Sequence, residues 1–194
     1  MDVIQILLVA LTVLPILATI LLGYQLLRNG QGALGKPTIS PGLFYSAKIM
    51  IALVFTLLCI AGVKPDFFLF FPGLIQHEIP DIQRLMSMIL LWTGNLFLIP
   101  AYYSMSIFTR VGLPTSGHTL RTSGIYRFSR NPMYFSFYFF YTACFLLVPS
   151  LLLLIMMTFS LILHHQIILN EEKFLTGLFR NKYLSYKEKV PRYL

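Results

Sequence analysis

Charge is what this sequence has least of. Asp, Glu, Lys and Arg make up 11% of its 194 residues, and only seven of those residues are acidic. A water-soluble domain carries about 25%. With 57% hydrophobic residues and a mean hydropathy of +0.74, the composition excludes an ordinary soluble globule and points to an integral membrane chain. Cysteine is nearly absent too. Cys59 and Cys144 both lie inside apolar runs, which leaves neither a disulfide framework nor a zinc site. Residues 30–37, GQGALGKP, spell a GxGxxG and lack only the Ser/Thr of a Walker loop, but they follow a long apolar run and not a short strand, so no soluble nucleotide-binding fold is expected. The opening MDVIQ has no basic residue, and no small-residue cleavage site follows, so the first apolar run is read as a true span and not a cleaved leader. The net charge of +8 is assigned to basic loops beside anionic headgroups, with no nucleic-acid partner expected.

What the sequence does have is long apolar runs. Residues 3–27 carry no formal charge, enough for a first span, with Pro15 as an expected kink. A Gly- and Pro-rich loop follows. A second span starts near Pro41 to Phe44, with Lys48 expected to snorkel toward the headgroups, and runs to Lys64. "KPDFFLFFPGL" is too short to cross a bilayer and reads as an interfacial or re-entrant segment. The uncharged stretch between Arg84 and Arg110, with Trp92 and a second expected kink at Pro100, is span three.

The last apolar block, Asn131 to Asn170, would be about 60 Å long as one helix, twice the hydrocarbon thickness. It must fold back, and Val148-Pro149-Ser150 is the break near its middle. Spans four and five therefore form a helical hairpin. The tail from Glu171 is charged, and Phe174, Leu175, Leu178 and Phe179 at helical spacing predict an amphipathic surface helix. The expected fold is all-α, with five transmembrane helices in a single membrane domain over 1–194. Residues 1–110 hold three spans, and 111–194 hold the connector, hairpin and tail. With the N-terminus outside, every basic residue except Lys64 and Arg84 falls on the inner, cytoplasmic face.

That orientation puts two polar features together. One is the connector "RTSGIYRFSRNPMYF", residues 121–135, with three arginines, two tyrosines and a glycine. Asn131-Pro132 begins a helix with a cap and a first-turn proline, and its free N–H groups suit an anion or a polar ligand edge. The other is Glu171-Glu172, acids at the C-terminal end of an apolar helix, where the macrodipole does not favour them. His164 shares a face with Glu171. His165 points about 100° away from His164, so no metal site is expected from the pair.

Residues 118–193 resemble the C-terminal core of the isoprenylcysteine carboxyl methyltransferases. The resemblance rests on His118, Leu120, Gly124, Tyr126, Arg130, Asn131-Pro132, Tyr134, Glu171-Glu172, Tyr183, Tyr186 and Val190-Pro191, in that order. It implies a membrane enzyme that uses S-adenosylmethionine and releases S-adenosylhomocysteine. It also implies a cofactor shell of His118, Thr119, Leu120, Arg121, Tyr126, Asn131, Pro132, Met133, Tyr134 and Glu171. The acceptor implied is the carboxylate of an isoprenylcysteine or a similar lipid-tailed molecule entering from the bilayer. Two positions depart from the family pattern. Asn131 stands where the family has His, and Ile167 stands where it tends to carry the Arg that meets the substrate carboxylate. Three other readings stay open: a phospholipid or small-amine methyltransferase, a sterol-reductase-like enzyme using NADPH, and a non-enzymatic membrane subunit or transporter.

Overall fold

The computed structural model describes residues 2–30, 35–70, 79–105 and 119–194. Those residues form six α-helices, α1 (Val3–Arg28), α2 (Pro41–Val63), α3 (Asp81–Met105), α4 (Pro132–Leu147), α5 (Leu151–Phe179) and α6 (Asn181–Lys189). Short 3-10 turns lie at Pro65–Phe70 and Gly124–Arg127, and no strand occurs among the described residues.

The ends of these helices are set by local chemistry. Asp2 caps α1 reciprocally with Gln5, its carboxylate accepting from the Gln5 backbone N–H at 2.7 Å. Pro41 and Pro132 occupy the first turns of α2 and α4, where the missing N–H costs nothing. Ser150 caps α5 directly after the Val148-Pro149 break, so the expected hairpin turns there. Pro15 and Pro100 lie inside helices that continue past them.

α1, α2, α3 and α5 are each long and apolar enough to cross a membrane, and α4 is a shorter apolar helix of 16 residues. Their side chains are distributed for lipid. Only 22% of the most apolar window of α1 is buried, and Ile6, Leu14, Ile20 and Leu21 face outward. Asn95 and Ser87 go inward instead. Asn95 of α3 donates to the Leu11 carbonyl of α1 and to the Leu91 carbonyl of its own helix, both at 2.8 Å. Ser87 of α3 donates to the Ala143 carbonyl of α4 at 3.3 Å. Without a hydrophobic drive between helices in lipid, such bonds and close backbone approach hold the bundle. Gly94 supplies the close approach, because a Cβ there would lie 2.9 Å from the Phe140 ring.

α3 packs along both α1 and α4, while α2 touches α1, α4 and α5. The pair Ser87–Ala143 joins the start of α3 to the end of α4, so these helices are antiparallel. Consequently the start of α2, the end of α3, the start of α4 and the end of α5 share one end of the bundle. Two features differ from the sequence expectation. α5 does not stop at Asn170 but runs 29 residues to Phe179, roughly 44 Å, well beyond its 16-residue hairpin partner. The proposed amphipathic tail helix is thus the last turns of α5 plus the separate α6. Leu175 and Phe179 turn toward Tyr183, Tyr186 and Val190, because the chain folds back at Arg180 and covers them. Of the "KPDFFLFFPGL" segment, Lys64 ends α2, Pro65–Phe70 forms a 3-10 turn, and residues 71–74 lie outside the described residues.

Candidate active site

The end of the bundle where α2, α4 and α5 meet holds two polar clusters that share the Glu171-Glu172 pair. Consecutive helical residues diverge by about 100°, so the two acids face different partners. Glu172 is buried and faces the connector and the C-terminal strap. Arg192 grips it with two donors, Nη2 to Oε2 at 3.1 Å and Nε to Oε1 at 3.2 Å. Arg130 approaches Oε1 at 3.4 Å, and the Asn131 amide donates to the same oxygen at 3.1 Å. The backbone completes the clamp. The Arg130 N–H donates to the Pro191 carbonyl at 3.0 Å, and the Ser129 hydroxyl to the Arg192 carbonyl at 3.2 Å. Residues 129–131, 172 and 191–192 are thus one linked unit around the buried Glu172 carboxylate.

Glu171 faces the other way, toward the bundle. The hydroxyl of Tyr134, in the first turn of α4, donates to its Oε1 at 2.8 Å. Lys48 of α2 places its ammonium 4.9 Å from the Tyr134 ring centre and 5.3 Å from that of Phe44, close enough to act electrostatically on Glu171. Tyr126, on the Gly124–Arg127 turn, is buried beside the same carboxylate. Its phenol is pushed well above the usual tyrosine range, first by burial and then by the neighbouring Tyr186, Glu171 and Tyr102. Gly124 makes this turn possible, with φ of 62° and only 3.1 Å between a would-be Cβ and Ser104 Oγ. The Tyr186 hydroxyl of α6 donates to the Tyr126 carbonyl at 2.6 Å and fixes the turn from outside.

Of the residues predicted to form the cofactor shell, the fold therefore brings Tyr126, Tyr134 and Glu171 together. Pro132 is buried at the start of α4, and Met133 packs against the main core. Leu120 packs instead on the small cluster of Tyr183, Tyr186 and Val190. Thr119 is exposed and Arg121 half-buried. Asn131 sits at the start of α4 but does not cap it with its side chain, as the sequence suggested. Its amide is drawn to Glu172 and to the Arg192 carbonyl at 3.3 Å. His118 lies outside the described residues. The two histidines part as expected. His164 is buried, with Nδ1 2.8 Å from the Ser160 carbonyl, while His165 Nδ1 meets the Tyr193 hydroxyl at 2.6 Å.

Sequence reasoning missed three participants. Lys48 was read as a headgroup anchor, yet its ammonium lies over the Tyr134 ring inside the bundle end. It is the one formal charge within α2, and an ionisable residue inside a span is a functional candidate on that ground alone. Arg192 and Tyr193 had no signal, since their partners are set by the fold-back at Arg180.

The donor set suits a sulfonium nucleotide carrying an amino-acid end. Glu171 offers an acceptor for hydroxyl or amino groups, and Tyr126 and Tyr134 offer aromatic walls. Arg130 keeps Nε and Nη1, and Tyr183 its hydroxyl, buried without a hydrogen-bond partner among the described residues. Such donors are costly unless an acceptor such as a carboxylate reaches them.

A family model described as phospholipid methyltransferase matches residues 82–182, just over half of the chain. The match runs from α3 through the connector and the hairpin into the start of α6, and so contains both acids and both site tyrosines of the connector and α4. A search of curated proteins finds no match. With its apolar helical bundle and this match across the hairpin core, the chain belongs to the phospholipid methyltransferase family and is a membrane methyltransferase.

Proposed function

We propose that the protein transfers a methyl group from S-adenosylmethionine to the polar head of a lipid-tailed acceptor. The observation that carries this reading is the Glu171–Tyr134–Tyr126 cluster at the end of an otherwise lipid-facing bundle. Only a substrate with one polar and one apolar end needs a site built on that boundary. The tail stays in lipid and the head enters between helices.

S-adenosylmethionine would supply a methyl already activated on a sulfonium. The protein's remaining work is alignment and the exclusion of water. Glu171 would bind the cofactor's hydroxyl or amino groups, oriented by the Tyr134 hydroxyl. Tyr126 would pack against its flat part, and Arg130 and Tyr183 would offer donors to an anionic end. Asn131, held on Glu172, would position the start of α4 rather than contact the cofactor through its amide nitrogen. Thr119, Leu120, Arg121, Pro132 and Met133, with His118 before them, would line the connector side.

Two acceptors fit this site. The resemblance over residues 118–193 favours an isoprenylcysteine carboxylate, which is ionised at neutral pH and attacks without a base. The family match favours the amine of a phospholipid, which must first shed a proton. Ile167 bears on the choice. It is 0% exposed in the core, so no acceptor head reaches the position where relatives of the first kind tend to carry an arginine. The charge asymmetry of the loops favours a site on the cytoplasmic face in this reading.

Calorimetric titration of S-adenosylhomocysteine in detergent tests the pocket. Wild type binds, and Glu171→Ala and Tyr126→Ala bind at least tenfold more weakly, about 1.4 kcal/mol. Equal affinity in all three overturns the pocket. Labelled methyl transfer to a farnesylated cysteine analogue or to phosphatidylethanolamine then decides the acceptor.

A further inference from the structure

α2 contributes one charge to this site. Lys48 lies two turns into the helix, roughly 11 Å from its start, and is half-buried. Its side chain points back toward the N-terminal end, as helical side chains do, and passes over Phe44 one turn earlier. The ammonium then rests between two aromatic rings, 5.3 Å from Phe44 and 4.9 Å from Tyr134. Among the described residues the ion pairs within 4.0 Å join Arg84 to Asp2 and Asp81, and Arg130 and Arg192 to Glu172; Lys48 is in none of them. Glu171 is close enough to act on it but accepts a hydrogen bond from Tyr134. His164, the other nearby titratable group, offers no negative charge.

A cation held by ring faces, beside a carboxylate it does not pair with, is a cation with donors to spare. Cation–π contact orients an ammonium but uses none of its three N–H donors in a directional bond. If Glu171 binds the cofactor's amino group, its charge is shared between two cations, and no other carboxylate among the described residues acts on Lys48. A half-buried ammonium that shares its counter-charge is under-compensated, so the arrangement suits an arriving anion.

We propose that Lys48 binds the anionic group of the acceptor's head, and so selects acceptors that carry an anion next to the methylated atom. The inference rests on the methyltransferase reading above. The shared chemistry is an oxyanion on a lipid-tailed molecule, either a phosphodiester or a carboxylate. Tyr134 links the two halves of the site, since its hydroxyl orients Glu171 and its ring carries Lys48. The acceptor anion is thereby brought next to the cofactor's carboxylate partner without a second arginine. The position where relatives tend to have that arginine is Ile167, sealed in the core. The family match begins at residue 82, so no likeness assigns a role to Lys48.

The test compares wild type, Lys48→Gln and Lys48→Arg, purified in detergent. Four probes are used: S-adenosylhomocysteine, phosphatidylethanolamine, a farnesylated cysteine, and sphingosine as an amine lipid with no anion. Lys48→Gln is expected to raise the acceptor KM about 10- to 100-fold, the range of a lost charged hydrogen bond, with kcat changed less than threefold. Lys48→Arg restores most of that loss, and S-adenosylhomocysteine affinity stays within twofold in all three. The penalty falls on the acceptor with the matching anion, phosphatidylethanolamine for a phosphodiester site or farnesylcysteine for a carboxylate site. Sphingosine, where it is methylated, shows none. An unchanged KM in Lys48→Gln overturns the proposal. So does a loss of S-adenosylhomocysteine affinity equal to the loss for the acceptor, since Lys48 would then serve the cofactor. Wild type that binds no S-adenosylhomocysteine and methylates no lipid overturns the methyltransferase reading itself, and the role of Lys48 with it.

Discussion

Replacing Glu172 with alanine removes the anion that ties three separate parts of the chain together. The consequence can be worked from exposure. The side chain of Arg130 is 6% exposed and that of Glu172 5%, whereas that of Arg192 is 31% exposed. Without Glu172, Arg192 can turn to solvent, but Arg130 stays buried, with Nε and Nη1 already lacking partners among the described residues. Breaking a buried pair by deleting one partner costs about 3–5 kcal/mol, most of it from the stranded charge. Arg192→Ala should cost less, about 1.5–3 kcal/mol, the range of a hydrogen bond to a charged group, because no cation is left behind. Equilibrium unfolding in mixed micelles measures both. The double variant Glu172→Met with Arg130→Met should recover most of the loss, since an apolar pair of similar volume strands no charge. The reasoning is refuted if Glu172→Ala costs under 1 kcal/mol, or if the double variant is no more stable than Glu172→Ala.

Gly94→Leu forces a side chain into the Phe140 ring and should destabilise the α3–α4 contact by about 1–3 kcal/mol in the same unfolding assay. Arg180 is the one non-glycine residue at positive φ among those described, at 46°, so Arg180→Gly should stabilise the α5–α6 turn by about 1 kcal/mol. Burial raises the Tyr186 phenol to about 12 against an ordinary value of 10.0. The folded form then holds its proton more tightly than the unfolded one, so this contribution to stability is full below pH 10 and is lost as pH rises toward 12. Tyr186→Phe should remove that alkaline slope, at a cost of about 1 kcal/mol at neutral pH from the lost bond to the Tyr126 carbonyl. A slope unchanged in Tyr186→Phe would assign it to other tyrosines.

The helices were legible because lipid imposes a length. The uncharged run from residue 3 to residue 27 became Val3–Arg28, and Val148-Pro149-Ser150 became the hairpin turn. The end of α5 was not legible. Asn170 and Glu171 look like a boundary to a hydropathy reading, but a helix ends where its backbone bonds do, and these continue to Phe179. Glu171 and Tyr134 stood out in sequence because polar residues abutted grease on a shared face. Glu172 stood out with it, but its role did not, since whether an acid next to another acid faces ligand or clamp depends on Arg130 and Arg192, whose approach is set by tertiary structure. Asn131 shows the same limit. Asn before Pro reads as a helix cap, and a nearby buried carboxylate outcompeted the backbone for its amide. Lys48 was visible as a charge in a span, but its direction depended on Tyr134, far along the chain.

The most direct measurement is the passage of labelled methyl from S-adenosylmethionine into extractable lipid. The assay uses proteoliposomes that contain phosphatidylethanolamine and a farnesylated cysteine, with wild type and Glu171→Ala in parallel. Label entering the lipid phase with wild type, and falling at least 100-fold with Glu171→Ala while the variant stays folded, is the predicted result, equal to about 2.7 kcal/mol of lost transition-state stabilisation. Equal labelling by the two proteins would contradict the placement of the site at Glu171, and no labelling by wild type would contradict lipid-acceptor methylation.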